Sequence, residues 1–376
     1  MRRITGANVA TDLFGSGKHG FKERVVGVSA PTIVTAQWAG DAQEEVCNAI
    51  EGFGFTLGTS ANQLLNVARL AAIETAIVNH APRTPANSYT GNFFSLTLDS
   101  AGVLVAAGSA GEIQTSSNGG ETWTKRTQAG AYAGGFWASC YSASLDLFVL
   151  VGSSGEIQTS PDGVTWTKRT QAGAYSGTFL TAVFGGSLFV IGGTSGEIQT
   201  SSDGVTWTKR TQAASYAGSF QASAFGNSLY ALAGTSGEIQ TSSDGVTWTK
   251  RTQAGGYVSA FNSLVYASGL FVVVGTIGEV QSSANGVDWT RRVPAAWTTA
   301  APFGVCARDS SEQGGGYFFL FGNSGLVAAS ADGLDWRLLT RSARFSGNMR
   351  SAKYHSATST VVVVGDGAVI RQTLAV

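Results

Sequence analysis

Charge is scarce in this chain: of 376 residues, 24 are Lys or Arg and 24 are Asp or Glu, 13% in all, about half the share of an ordinary soluble domain. The surface therefore has to be built largely from Ser, Thr, Asn, Gln and Gly. The charges cancel to a formal net of zero and form no long basic run. The counterion release that drives most nucleic-acid binding has no source, and no nucleic-acid partner is expected. Proline is rare, 6 residues against 50 glycines, which excludes a Pro-rich disordered chain and a collagen-like one. The 3 cysteines, Cys47, Cys140 and Cys306, are odd in number and scattered, so neither a disulfide framework nor a CxxC metal clip follows from their spacing. His19, His80 and His355 are too dispersed for a recognisable metal site, and no metal or cofactor is expected. No apolar run approaches the roughly 18 residues needed to span a bilayer; Val361-Val362-Val363-Val364 reads as a buried strand. The opening Met-Arg-Arg-Ile-Thr-Gly lacks an apolar signal segment, which predicts synthesis in a cytoplasm and exit only within an assembly.

What is abundant is repetition. Gly-Glu-Ile-Gln-Thr-Ser starts at Gly111, Gly155, Gly196 and Gly237, Gly-Glu-Val-Gln-Ser-Ser at Gly278, and weaker copies at Gly325 and Gly367. Such a period of about 40–50 residues belongs to propeller blades. Within one unit, apolar runs at 179–184 and 188–192 are followed by 196–200 and 206–211, separated by Gly-rich and Asp-Gly turns. Short β-branched and aromatic runs bounded by such turns predict strands, with no competing helical period. Each unit is thus a four-stranded meander, and seven packed around an axis bury what one sheet cannot. The last unit ends after its third strand. Residues 83–94 match 169–180 as the tail of a fourth strand leading into a first one, so about Ile77–Thr84 should close the ring. The expected architecture is mainly β: a seven-bladed propeller over 77–376, closed by an N-terminal strand and preceded by a small, partly helical module over 1–76.

Between the third and fourth strands, six units carry a Ser-x-Asp-Gly-x-x-Trp pattern. Its members are Asn118, Asp162, Asp203, Asp244, Asn285 and Asp332, each followed by Trp123, Trp166, Trp207, Trp248, Trp289 and Trp336 respectively. The acid or amide can bind turn amides, Gly permits positive φ, and Trp buries a large ring between blades. The pattern resembles the Asp-box, or bacterial neuraminidase repeat, which in its families is a structural staple away from any active site. Lys125-Arg126, Lys168-Arg169, Lys209-Arg210 and Lys250-Arg251 should face Glu112, Glu156, Glu197 and Glu238 across a hairpin, as cross-strand pairs on a solvated face.

The neuraminidase resemblance implies an arginine triad, a Tyr nucleophile with its Glu, and an acid Asp. No such set can be placed, although Arg308, Arg341, Arg344, Arg350 and Arg371 gather in the last two blades. No enzymatic activity is expected.

The first eighty residues share none of the repeat. Asp41–Glu51 reads as a short helix with Val46, Ala49 and Ile50 on one face, and residues 61–79 as a second with Leu70, Ile73 and Ile77. The segments Ile4–Asn8, Leu13–Phe21, Asp41–Glu51 and Asn62–Leu65 resemble, in order, the start of tailed-bacteriophage tail-fibre proteins. That resemblance implies attachment to other phage tail or baseplate proteins, a homo-oligomer such as a trimer, location in the virion, and a bacterial surface glycan or receptor as partner. The propeller would then be the non-enzymatic receptor-binding part. A spacer that binds another virion protein, with Asp-box propellers that assist photosystem assembly resembling this one in fold, and a sialidase-like glycan-cleaving spike are the rival readings. Binding residues should lie where the repeats differ: Trp137 and Tyr141, Gln221 and Asn262 after the first-strand Phe, and Trp297, Phe303 and Arg308. Aromatic rings beside amide and Arg donors suit glycans. Tyr132, Tyr175, Tyr216 and Tyr257 offer a quasi-symmetric alternative, with packing between blades as their simpler role.

Overall fold

A computed structural model describes residues 9–11, 19–21, 81–292, 302–308, 317–323, 326–339 and 348–372. The chain divides into two compact units, Met1–Ile73 and Glu74–Val376. In the first, Val9–Thr11 pairs antiparallel with His19–Phe21; the helices expected over 41–51 and 61–79, and the other motif segments there, lie outside the described residues.

The second unit is the seven-bladed propeller. Each blade is a four-stranded antiparallel meander, such as the third: Phe179–Gly185, Leu188–Gly193, Ile198–Ser201 and Thr208–Arg210. Strand one of each blade packs against strand one of the next, and that of the seventh against that of the first. Among the described residues, the helical segments are three-residue 3-10 turns.

The ring closes as the repeat arithmetic requires. Met349–His355, Thr360–Gly365 and Ile370–Gln372 take Ala81–Arg83 as their fourth strand, with Ala81 opposite Gln372 and Arg83 opposite Ile370. Pro82 is tolerated because this is the outer edge, where one side of the strand has no ladder to feed. Gln372 Nε2 donates to the Gly119 carbonyl at 2.8 Å, and His355 Nε2 meets the Gly102 carbonyl at 3.1 Å, tying the last blade to the first.

Packing between blades rests on the second strands, which are buried on both faces, and on one Phe that opens the first strand: Phe93, Phe136, Phe179, Phe220 and Phe261 are each 0% exposed. The six turn Trp residues are buried as well; Trp207, for instance, joins Val149, Phe179 and Phe189 in a core shared by blades two and three.

The turn preceding each Trp holds itself together. Asp203 Oδ1 accepts the Val205 and Thr206 amides, each at 2.8 Å, and the Ser201 hydroxyl at 2.9 Å. Ser201 Oγ in turn accepts the Gly204 amide at 2.8 Å. Gly204 sits at φ +72°, in the left-handed region that favours glycine. Asp162, Asp244, Asn285 and Asp332 make the same two amide bonds; Asn118 reaches the Thr122 amide.

Candidate functional site

The first strands build the site. In all seven blades the residue after the opening position is the extra residue of a β-bulge: pairing slips between Phe93 and Ser95, Phe136 and Ala138, Phe179 and Thr181, Phe220 and Ala222, Phe261 and Ser263, Pro302 and Gly304, and Met349 and Ser351. A bulge frees one residue from the ladder and re-aims its side chain. The seven freed residues are Phe94, Trp137, Leu180, Gln221, Asn262, Phe303 and Arg350, and all of them line one axial cavity of about 450 Å³. That volume suits a small ligand or the tip of a larger one.

One side of this ring is aromatic and cationic. Phe94 and Trp137 stack with centroids 4.2 Å apart and planes 6° from parallel. The Arg350 guanidinium lies 5.4 Å from the Phe94 centroid and 5.6 Å from that of Phe303, within cation–π range. Asp366 holds Arg350 in place: Nη2 meets Oδ2 at 3.0 Å and Nε donates to Oδ1, while Asn348 Nδ2 donates to Asp366 Oδ2 at 2.8 Å. Trp137 Nε1 donates to Ser153 Oγ at 3.0 Å. The opposite side is amide: Asn262 Nδ2 donates to the Pro302 carbonyl at 2.8 Å, and Gln221 Oε1 has no hydrogen-bond partner.

Deeper in the cavity come hydroxyls. Thr181 and Ser223 bond each other at 2.6 Å, Ser351 Oγ accepts the Leu96 amide at 3.2 Å, and Ser263 Oγ accepts the Val305 amide at 3.2 Å. Below them stands Lys353. Its side chain is exposed to the water of the channel yet walled in by blades, and this confinement lowers the amine's pKa from its ordinary value. Burial pushes the thiols of Cys140 and Cys306 up to about 12, so they stand neutral.

The residues singled out in the sequence divide into three groups. Trp137, Gln221, Asn262 and Phe303 share the ring. Tyr141 and Arg308 lie near the other ends of their first strands, four and five residues on, or roughly 13 and 16 Å at strand rise. There the Tyr141 hydroxyl donates to Asp146 Oδ1 at 2.7 Å. Arg308 is 7% exposed, with its guanidinium 5.0 Å from the Tyr354 ring and 5.8 Å from that of Tyr317, a packed position away from the ring. Trp297, Arg341 and Arg344 lie outside the described residues. Phe94, Leu180, Arg350 and Lys353 complete the cavity without having been named as binding residues. Phe94 and Leu180 share the register of Trp137 and were legible from it; Arg350 was hidden because Met349 replaces the marker Phe.

The repeated residues are engaged elsewhere. Tyr175 tilts against Phe179 at 4.7 Å and its hydroxyl donates to the Thr178 carbonyl at 3.1 Å; burial raises its pKa. Lys125, Lys168, Lys209 and Lys250 pair with Glu112, Glu156, Glu197 and Glu238 at 2.7 to 2.9 Å. Among the described residues no group of three or more His, Cys, Asp and Glu side chains is placed to hold a metal.

The DUF6242 beta propeller domain matches residues 83–216 and, overlapping them, 183–305. The chain belongs to that family. No curated protein matches it. Among solved structures, YCF48 bound to D1 peptide superposes with a TM-score of 0.63 at 14% identity, over 78% of this chain and 94% of that one. YCF48 from Cyanidioschyzon merolae gives 0.61 at 16%, over 78% and 98%. The WD40 beta propeller domain of Doa1 gives 0.57 at 13%, over 78% and 97%. At these identities the likeness is one of fold.

Proposed function

We propose that this member of the DUF6242 beta propeller family is a non-enzymatic recognition protein, the receptor-binding part of a tailed-phage tail fibre, and that its axial mouth binds a bacterial surface glycan. One observation carries the reading: the seven bulge residues that converge on the cavity are drawn from the strand whose sequence differs in every blade, while the outer strands of blades one to four repeat. Flat rings beside amides are the surface sugars bind. The lining of the cavity contains no Asp or Glu among the described residues, which leaves a two-carboxylate hydrolysis without its acid and base there and supports binding without turnover. The order of N-terminal motifs supports attachment to a tail, as an oligomer carried in the virion. The Ser-x-Asp-Gly turns fit the Asp-box reading, as staples within the blades.

A second reading has its own support. The YCF48 structure is of a complex with a D1 peptide, so a propeller of this fold can hold a protein segment, and here the occupant would be another virion protein.

The test uses the full-length chain with intact cells and extracted surface polysaccharide from a panel of bacteria, scoring retention and sugar release together. Retention that falls about tenfold or more in Trp137→Ala, the scale of a lost aromatic anchor, with no sugar released, is the expected result. Sugar release would overturn the non-enzymatic reading. Absence of retention across the panel would overturn the glycan and favour the protein partner.

A further inference from the structure

Among the described residues, two cations line the axial cavity, Arg350 and Lys353, and Arg350 alone is paired with a carboxylate. Arg350 is gripped through two nitrogens by Asp366. Lys353 has no hydrogen bond or ion pair among the described residues, and the lining around it contains no carboxylate. The chain has seven lysines; the four on the outer strands are all paired with Glu, so the unpaired state of Lys353 is not the habit of this protein. Cys140 in the second blade and Cys306 in the same lining are held neutral by burial and lend no counter-charge. The Lys353 ammonium, wetted by the channel but with no anion beside it, keeps its donors available for an anion that a ligand brings. The hydroxyl of Ser95, in the same lining, is buried without a hydrogen-bond partner, a second polar group with unused capacity.

We propose that the axial channel is a binding site for a carboxylate-bearing sugar residue, with the Lys353 ammonium as its anchor below the aromatic and amide ring. A single ammonium matches the single charge of a carboxylate better than the double charge of a phosphate. A sugar is the carrier because the ring above offers flat aromatic faces and amides, the complement of a pyranose. The inference rests on the mouth being the ligand entrance, as in the function proposed above, and it narrows the ligand to acidic glycans.

The experiment uses the full chain with its lysines reductively dimethylated with ¹³C, which keeps their charge. Lys353→Arg removes one signal and thereby assigns it. At fixed pH, millimolar D-glucuronate should move the Lys353 signal saturably, D-glucose should not, and the paired lysines should stay still. Lys353→Met, checked for an unchanged melting temperature, should weaken glucuronate binding about tenfold, as loss of one charge-assisted hydrogen bond does. A Lys353 signal that ignores glucuronate, or that moves equally with chloride at matched ionic strength, overturns the proposal. A signal that moves with a peptide ending in a free carboxylate, but not with its amidated form or with glucuronate, overturns it in favour of a protein terminus. Cell retention is scored separately. Retention with a silent Lys353 fails this inference alone, and a responsive Lys353 without retention fails the host-receptor reading alone.

Discussion

The outer hairpins and the inner strands of blades two to four were built to different rules. The outer hairpins share Gly-Glu-Ile-Gln-Thr-Ser and Asp-Gly-Val-Thr-Trp-Thr-Lys-Arg-Thr-Gln-Ala, whereas the inner strands read Phe-Trp-Ala-Ser-Cys-Tyr-Ser, Phe-Leu-Thr-Ala-Val-Phe-Gly and Phe-Gln-Ala-Ser-Ala-Phe-Gly. The outer positions repeat because each carries a bond. In blade three, Gln199 clips both the amide and the carbonyl of Ala172, at 2.8 and 3.0 Å, in the loop entering that blade. It also donates to Glu197 at 2.8 Å, Glu197 accepts Lys209 at 2.7 Å, and Arg210 Nε donates to Thr200 at 2.8 Å. On the inner strand the opening Phe is locked in the core, and the bulge residue beside it lines the open cavity. Blades six and seven sharpen the contrast: Ala328 and Arg371 stand where the Gln clip would be, and these blades supply Phe303, Arg350 and Lys353 to the cavity. Partners vary with the bulge residue. Ser153 serves Trp137, Asp366 serves Arg350, and Thr194 at the matching place bonds Tyr175 instead, at 2.8 Å.

The largest effect should come from the Phe that opens the inner strand in blades one to five. Phe220→Ala empties a fully buried site and should cost about 3–5 kcal/mol, read as a large fall in unfolding midpoint; a cost under about 1 kcal/mol would break the claim that the opening Phe anchors the blade. Next, Ser201→Ala removes the buried acceptor of the Gly204 amide and should cost about 1–3 kcal/mol with ligand retention unchanged. A smaller effect is pH-dependent. Turn amides hold Asp162, Asp203 and Asp244 below the usual carboxylate value, Asp244 at about 2. With folded values below the unfolded value of about 3.9, their contribution is full above that pH and fades as pH falls toward 2. Replacing all three by Asn, which blades one and five already use, should flatten the melting-temperature loss between pH 4 and 2, roughly the window those values define; an unchanged acid limb would contradict the turn bonds. Smallest is Lys168→Gln, which breaks a pair whose lysine is 59% exposed and should cost at most about 1 kcal/mol in urea unfolding.

Most of the fold could be read from the chain because the repeat recorded it. The spacing of Gly111, Gly155, Gly196 and their successors counted the blades, and the likeness of 83–94 to 169–180 located the closing strand, which the structure describes at Ala81–Arg83. The site was legible in part. Choosing residues where repeats differ found Trp137, Gln221, Asn262 and Phe303, since variation within a fixed scaffold marks positions released from packing. The same rule also chose Tyr141 and Arg308, because a first strand runs from one end of the channel to the other and variation alone does not say which end. Nothing in the sequence announces a bulge, so the convergence of seven residues on one ring emerged only from the register. Lys353 carried a signal in the sequence: it is a lysine outside the Lys-Arg pairs, in the middle of a first strand.

Ligand recognition by the inner ring rather than by the repeated rim is most directly tested by one paired retention assay on cells and polysaccharide that bind the full-length protein. The ring variant carries Trp137→Leu, Asn262→Leu and Phe303→Leu, borrowing the side chain that Leu180 already places there; the rim variant carries Lys168→Gln, Lys209→Gln and Lys250→Gln. Retention lost about tenfold or more in the ring variant and kept in the rim variant, with both melting near the parent, is the predicted result. Loss in the rim variant with retention intact in the ring variant would contradict it.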